Sequence, residues 1–134
     1  MPSPYSHATY RAWLGEVRRQ RDEGEGLHRL IELEATGEVV GAIGVQGLRT
    51  GRPDIGYWIA APFRRRGLMT AAVRLWRERL ALPYLEILTH HGNLPSQRVA
   101  LAAGFIATGE VRVDPRPGLF GEFLVFSAGE PPRR

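Results

Sequence analysis

The stretch "GYWIAAPFRRRGLMTAAVRLW", residues 56–76, runs from an apolar strand through a basic, glycine-containing turn directly into an amphipathic helix. Arg64, Arg65 and Arg66 crowd positive charge just ahead of Gly67, where that helix must start. The helix aims its unpaired backbone N–H groups, those of Leu68, Met69 and Thr70, and the positive end of its dipole at the same point. Gly67 supplies backbone freedom that a side chain would block, so the turn can fold around an oxyanion as a nest. The stretch contains neither G-x-x-x-x-G-K-[ST] nor G-x-G-x-x-G, which removes the nucleoside-triphosphate loop and the dinucleotide fingerprint and leaves a diphosphate of another kind.

Outward from this stretch the periodicity is regular. Residues 7–23 read as a helix stopped by Gly24 and Gly26. Leu27 to Ala35 alternates and turns through Thr36-Gly37 into the apolar run Val39 to Val45, a β-hairpin. A strand over Asp54 to Ala60 precedes the turn. Leu68, Ala72, Val73, Trp76 and Leu80 mark the buried stripe of the helix that follows, with Arg74, Arg77 and Glu78 outside it. Pro83 ends that helix and "YLEILTH", residues 84–90, follows as an inner strand, so the strands over 54–60 and 84–90 should be parallel through a right-handed crossover. Asn93 suits an N-cap, Pro95 a first turn and Gly104 the C′ position of a helix over 94–103. A closing hairpin with arms over 105–113 and 119–126 is joined through Asp114-Pro115 and Pro117-Gly118. The whole of 1–134 reads as one domain, with 1–5 and 129–134 flexible.

The chain has 134 residues and no cysteine, which excludes disulfides, Cys-bound zinc and a thiol nucleophile. No apolar run approaches membrane-spanning length, and the opening "MPSPYSHATY" lacks the layout of a secretory signal, so a cytoplasmic protein with no membrane partner is expected. All eighteen basic residues are arginine and the net charge is +4. Outside the triplet at 64–66 they are scattered as on solvated helix faces. A nucleic-acid-binding role is therefore a distant alternative, and the excess charge serves to attract an anionic cofactor or an acidic partner.

Two segments carry a family resemblance. R-x-x-G-x-[GA], read here as Arg64, Gly67 and Met69, resembles the acyl-CoA pyrophosphate loop of the GNAT N-acetyltransferases, Met69 standing where a small residue is usual and contributing mainly backbone. "NLPSQRVALAAGF", residues 93–105, is similar to the N-x-x-S-x-[RK]-x-A-x-x-x-G-F block of the ribosomal-protein alanine acetyltransferase branch. The resemblance covers roughly Leu27 to Phe126. It implies an α/β fold of layered α+β type: a mixed, mostly antiparallel sheet around a central parallel β-α-β unit that binds acyl-CoA. It also implies transfer of acetyl from acetyl-CoA, the co-substrate, to a primary amine of a protein N-terminus or small molecule, by direct attack in a ternary complex and without a metal.

By the same resemblance the pantetheine of the cofactor pairs with the open strand edge at Trp58, Ile59 and Ala60, and its diphosphate sits on Arg64, Arg65, Arg66, Gly67, Leu68, Met69 and Thr70. Asn93 hydrogen-bonds the pantetheine while also serving as a helix cap. Ser96 lies three residues on, facing nearly the same way, and stands where the family can hold the acid that protonates the departing thiolate. It could equally be a surface serine, and no neighbour in sequence offers it a relay. An ammonium has no lone pair, so a base is needed. Asp54 is preferred, with Glu32, Glu34, His90 and His91 as the other candidates. Relative to the family the chain begins late, without the usual first strand and first helix, which leaves strand 27–35 as an open edge that a homodimer could cover. A non-catalytic acyl-CoA-binding module is the alternative that this shortening makes credible.

Overall fold

Side chains alternate across a strand, and the two faces of the sheet in this protein are covered differently. The computed structural model describes residues 7–113 and 121–131, with residues 7–13 as backbone only. The elements are α1 (His7–Asp22), β1 (Leu27–Glu32), β2 (Val39–Gln46), β3 (Asp54–Ile59), a 3-10 turn (Ala61–Phe63), α2 (Leu68–Leu80), β4 (Tyr84–His90), α3 (Leu94–Ala102), β5 (Ile106–Val113) and β6 (Glu122–Gly129). The strands form one six-stranded sheet in the order β1-β2-β3-β4-β6-β5. Every neighbouring pair is antiparallel except β3 and β4, which α2 joins as the expected parallel crossover.

One face carries α2 and α3. Ile43, Val45, Ile55, Leu85, Ile87 and Phe126 project from the strands into a core shared with Met69 and Val73 of α2, Ala100 of α3 and Phe105. The other face takes α1, docked through Gln20, which is 7% exposed. Its amide donates to Glu16 and Gln46, and its oxygen lies 2.8 Å from His28 Nε2.

The first and last strands differ from the sequence expectation. The first strand ends at Glu32, not Ala35: Leu33 N–H donates to Glu38 O and Gly37 N–H to Leu33 O, so the chain turns early. The pairing also slips between Ile31 and Glu32. The last strand, expected to end at 126, continues to Gly129 as β6 (Glu122–Gly129), because it pairs along the full length of β4, from Tyr84↔Gly129 to His90↔Phe123; residues 119 and 120 lie outside the described residues. Gly129 is thus a strand residue and not the start of a loose tail. The proposed turns at Asp114-Pro115 and Pro117-Gly118 lie outside the described residues, as do 1–6 and 132–134.

Candidate active site

The turn after β3 folds as its composition requires. Gly67 is the N-cap of α2 with φ +73° and ψ 4°, and no side chain caps that helix. A Cβ at Gly67 would meet nothing within 4 Å, so the left-handed backbone and not crowding calls for glycine there. Arg65 is also left-handed, at φ +65°, a conformation that costs an L side chain about 1–2 kcal/mol. Two left-handed residues, Arg65 and Gly67, thus turn the backbone on either side of Arg66 just ahead of the start of α2, and turns of this kind can present successive N–H groups to an anion. All three arginines are exposed. Arg64 Nε donates to Ile59 O at 3.2 Å, and the Arg66 guanidinium lies 5.5 Å from the centre of the Phe63 ring. Met69 does more than lend backbone to the first turn: its side chain is 6% exposed and belongs to the core.

The parallel strands β3 and β4 are registered at a single position, Asp54↔Glu86. Beyond it β3 continues on its other side against β2, through Ala42↔Trp58 and Gly41↔Ile59, and Ala60 N–H donates to Val40 O. Trp58 and Ile59 therefore lie on the part of β3 that has no strand register with β4, next to the turn just described, and Ala60, expected as the last strand residue, is the first residue beyond it.

At the far end stands the start of α3. Asn93 is its N-cap, with Oδ1 accepting from Ser96 N–H at 3.1 Å. The Ser96 hydroxyl is not isolated. Tyr57 reaches across from β3, its hydroxyl 3.0 Å from Ser96 Oγ and 3.1 Å from Ser96 O. Burial pushes the Tyr57 phenol up, with the Ser96 hydrogen bond partly offsetting it. Sequence reasoning found no relay beside Ser96. The signal lay 39 positions away, in an aromatic whose ring packs partly against the core while its polar tip finds a partner.

Asp54 lies on the opposite row of β3. Its carboxylate accepts from Gln46 Nε2 at 3.3 Å, on the face away from Tyr57 and Ser96. Asp54 thus stands at the one paired position of β3 and β4, and Tyr57 with Ser96 beyond it on the opposite face of the strand. Glu32 and Glu34 are exposed near the end of β1, with β2 standing between that strand and β3, and are not brought to this place. His90 and His91 stack at 4.5 Å, with His90 edge-on to Phe123 and its Nδ1 accepting from Gly92 N–H. Among the described residues no group of three or more His, Asp or Glu could hold a metal ion.

The acidic residue that sequence reasoning passed over is Glu86. It is 0% exposed, yet it is ionised in a network. Arg52 reaches its Oε2 at 2.6 Å, Arg112 its Oε1 at 3.1 Å, and the Tyr84 hydroxyl donates to Oε2 at 2.6 Å. Glu110 ties the two arginines together at 2.8 and 2.6 Å. Burial pushes the Glu86 carboxyl up, but Tyr84, Arg112 and Arg52 together outweigh it and hold the group below the ordinary carboxylate range. This network fastens the one register point of β3 and β4 to β5.

The model of the family described as the acetyltransferase (GNAT) domain matches residues 1–106. No curated protein matches the chain. Many solved structures do. Mycobacterium smegmatis RimJ, solved in complex with CoA-disulfide, is 24% identical with a TM-score of 0.76, and the alignment covers 90% of this chain and 61% of that one. The Salmonella typhimurium acetyl transferase that modifies the N-terminal serine of ribosomal protein L7/L12 is 17% identical with a TM-score of 0.79, covering 94% and 76%. The ribosomal-protein-S5-alanine acetyltransferase of Vibrio fischeri is 15% identical with a TM-score of 0.72, covering 95% and 76%. At these identities the likeness establishes the fold.

Proposed function

This chain belongs to the acetyltransferase (GNAT) family, and from that premise we propose that it moves acetyl from acetyl-CoA to the primary amine of a protein N-terminus or a small molecule, by direct attack within a ternary complex. The observation that carries the reading is the splay. Two parallel strands meet at one position, with a left-handed, arginine-bearing turn at one end and a capped helix start bearing Ser96 at the other. Such a cleft accepts an elongated ligand with an anionic head and an amide-rich tail.

The residues present suit acetyl-CoA. The nest formed by Arg65 and Gly67, with the N–H groups of Leu68, Met69 and Thr70, receives the diphosphate, and Arg64 and Arg66 add charge at its rim. Backbone groups of Trp58, Ile59 and Ala60 pair with the pantetheine, which Asn93 also contacts. Asp54 takes the proton of the incoming ammonium, directly or through water. The freed nitrogen lone pair then attacks the acetyl carbon, the C–S bond breaks with its electron pair leaving on sulfur near Ser96, and the nitrogen gives up its second proton to water as the amide forms. That Asp54 and Ser96 occupy opposite faces of β3 suits a reaction in which the amine enters from one side and the thiolate leaves on the other.

The acceptors modified by structural neighbours make N-terminal serine or alanine peptides the first to try, and residence in the cytoplasm, where acetyl-CoA is available, fits that role. A homodimer completes the proposal. A groove of about 580 Å³ runs between the outer edge of β1 and α2, lined in part by Leu30, Leu75 and Trp76, and Leu30 and Leu75 are each more than half exposed. The test is acetyl-CoA with a panel of N-terminal peptides, lysine and polyamines, following thiol release and the acetylated amine by mass. Acetylation of any of them at a rate above the protein-free control is expected. Tight acetyl-CoA binding with no product would favour the non-catalytic binding module instead.

A further inference from the structure

The Tyr57 hydroxyl has one hydrogen and two oxygens to give it to, because Ser96 O lies at 3.1 Å and Ser96 Oγ at 3.0 Å. If the phenol donates to the carbonyl, the Ser96 hydrogen is drawn towards the phenol oxygen and the serine donates nothing elsewhere. If the phenol donates to Oγ, the Ser96 hydrogen is released to point away from Tyr57. The other polar group of this residue within reach, the Ser96 N–H, is already held by Asn93 Oδ1. Direction of the serine hydrogen is therefore in the hands of one half-buried phenol.

We propose that Tyr57 is a positioning residue that turns the Ser96 O–H towards the sulfur of CoA, through the hydrogen bond that the two hydroxyls share between β3 and the first turn of α3. The inference rests on the acetyl-CoA reading given above. As the C–S bond breaks and the electron pair moves to sulfur, the phenol hydrogen bond shifts from Ser96 O to Ser96 Oγ, and the serine hydrogen bonds the thiolate. No covalent bond to hydrogen breaks in this step. Full transfer from the phenol would run uphill, since tyrosine titrates near 10 against about 8.5 for a thiol and burial pushes Tyr57 higher still. The pair stabilises the leaving thiolate by hydrogen bonding, and water later supplies its proton.

The test uses free CoA as the probe, which separates it from turnover. The thiol of bound CoA is titrated by the ultraviolet absorbance of its thiolate in the unmutated protein, Tyr57→Phe, Ser96→Ala and the double variant. A hydrogen bond to a charged acceptor is lost in each single variant, so the acid dissociation constant of the bound thiol should fall about tenfold in Tyr57→Phe. It should fall at least as far in Ser96→Ala and no further in the double variant. On an amine that the unmutated protein acetylates, Tyr57→Phe should lower kcat about tenfold with KM for acetyl-CoA unchanged, and have no effect once Ser96 is alanine. Equal thiol titration in the unmutated protein and Tyr57→Phe overturns the inference, as does a Tyr57→Phe effect that persists in the Ser96→Ala background. A shifted thiol with no amine acetylated would contradict the enzyme reading and leave the Tyr57–Ser96 device standing.

Discussion

Glu86→Gln is the substitution whose cost can be worked most fully from the structure. The carboxylate is 0% exposed and accepts four hydrogen bonds: two from Arg52 at 2.6 and 3.0 Å, one from Arg112 at 3.1 Å and one from Tyr84 at 2.6 Å. Removing its charge leaves two arginines sharing Glu110 alone. Breaking a buried ion pair by deleting one partner costs about 3–5 kcal/mol. Arg52 and Arg112 retain 44% and 25% of their side-chain exposure, so water recovers part of the loss and the low end, about 3 kcal/mol, applies. At roughly 2.1 cal/mol/K per residue the unfolding entropy of this chain is about 280 cal/mol/K, so Tm should drop by about 10 °C. Thermal unfolding followed by circular dichroism at neutral pH, with urea unfolding alongside, reads the change. A drop under about 2 °C would refute the reasoning and mean that the network contributes nothing net to folding.

Other consequences can be measured on the same protein. Glu16, held down to about 2 chiefly by Arg19, and Glu86 and Glu110, held low as described, all bind protons more weakly when folded. Their stabilisation is complete above the ordinary carboxylate pKa and is lost as pH falls through the folded values, so Tm should decline from about pH 5 towards pH 2, and less steeply in Glu86→Gln. Ala81 caps α2 at φ +49°, and Ala81→Gly should relieve that strain and add about 1 kcal/mol, or 3–4 °C in Tm. Ser96→Ala should lower kcat roughly 10- to 1,000-fold while acetyl-CoA affinity holds. Asn93→Ala should instead weaken acetyl-CoA binding and cost about 1 kcal/mol of stability through the lost cap, and calorimetric titration of both variants checks the contrast.

Local chemistry was legible in the sequence and distant pairing was not. The strand, basic turn and helix over 56–76 declared themselves because each step is dictated by neighbouring residues: apolar alternation, a glycine that tolerates positive φ, then a helical stripe. Asn93 was readable as a cap for the same reason. The end of β1 was overrun because Leu33 and Ala35 keep the strand period, and only the hydrogen bonds from Leu33 and Gly37 show the chain turning before them. The last strand was displaced because its ends are set by its partner β4, not by its own residues. Met69 read as a backbone position, yet its long apolar side chain fits the core between sheet and helix. Glu86 sits in a strand apolar enough to read as an inner one, and its arginines come from 34 positions before it and 26 after it. Tyr57 and Ser96 are likewise joined only by the fold.

The central claim is that acetyl-CoA is held by the turn at Gly67, and a calorimetric titration of acetyl-CoA into the unmutated protein and into Gly67→Asp tests it most directly. The site has room for the new side chain, since nothing lies within 4 Å of a Cβ there, and aspartate is among the residues that tolerate a left-handed backbone, so the variant should fold. Its carboxylate would face the diphosphate. The unmutated protein should bind acetyl-CoA and, at one hundred times Kd, gain about 2.7 kcal/mol of stability, while Gly67→Asp should show neither binding heat nor stabilisation. Equal affinity in a folded Gly67→Asp variant would contradict the account, because the diphosphate would then be held somewhere other than the start of α2.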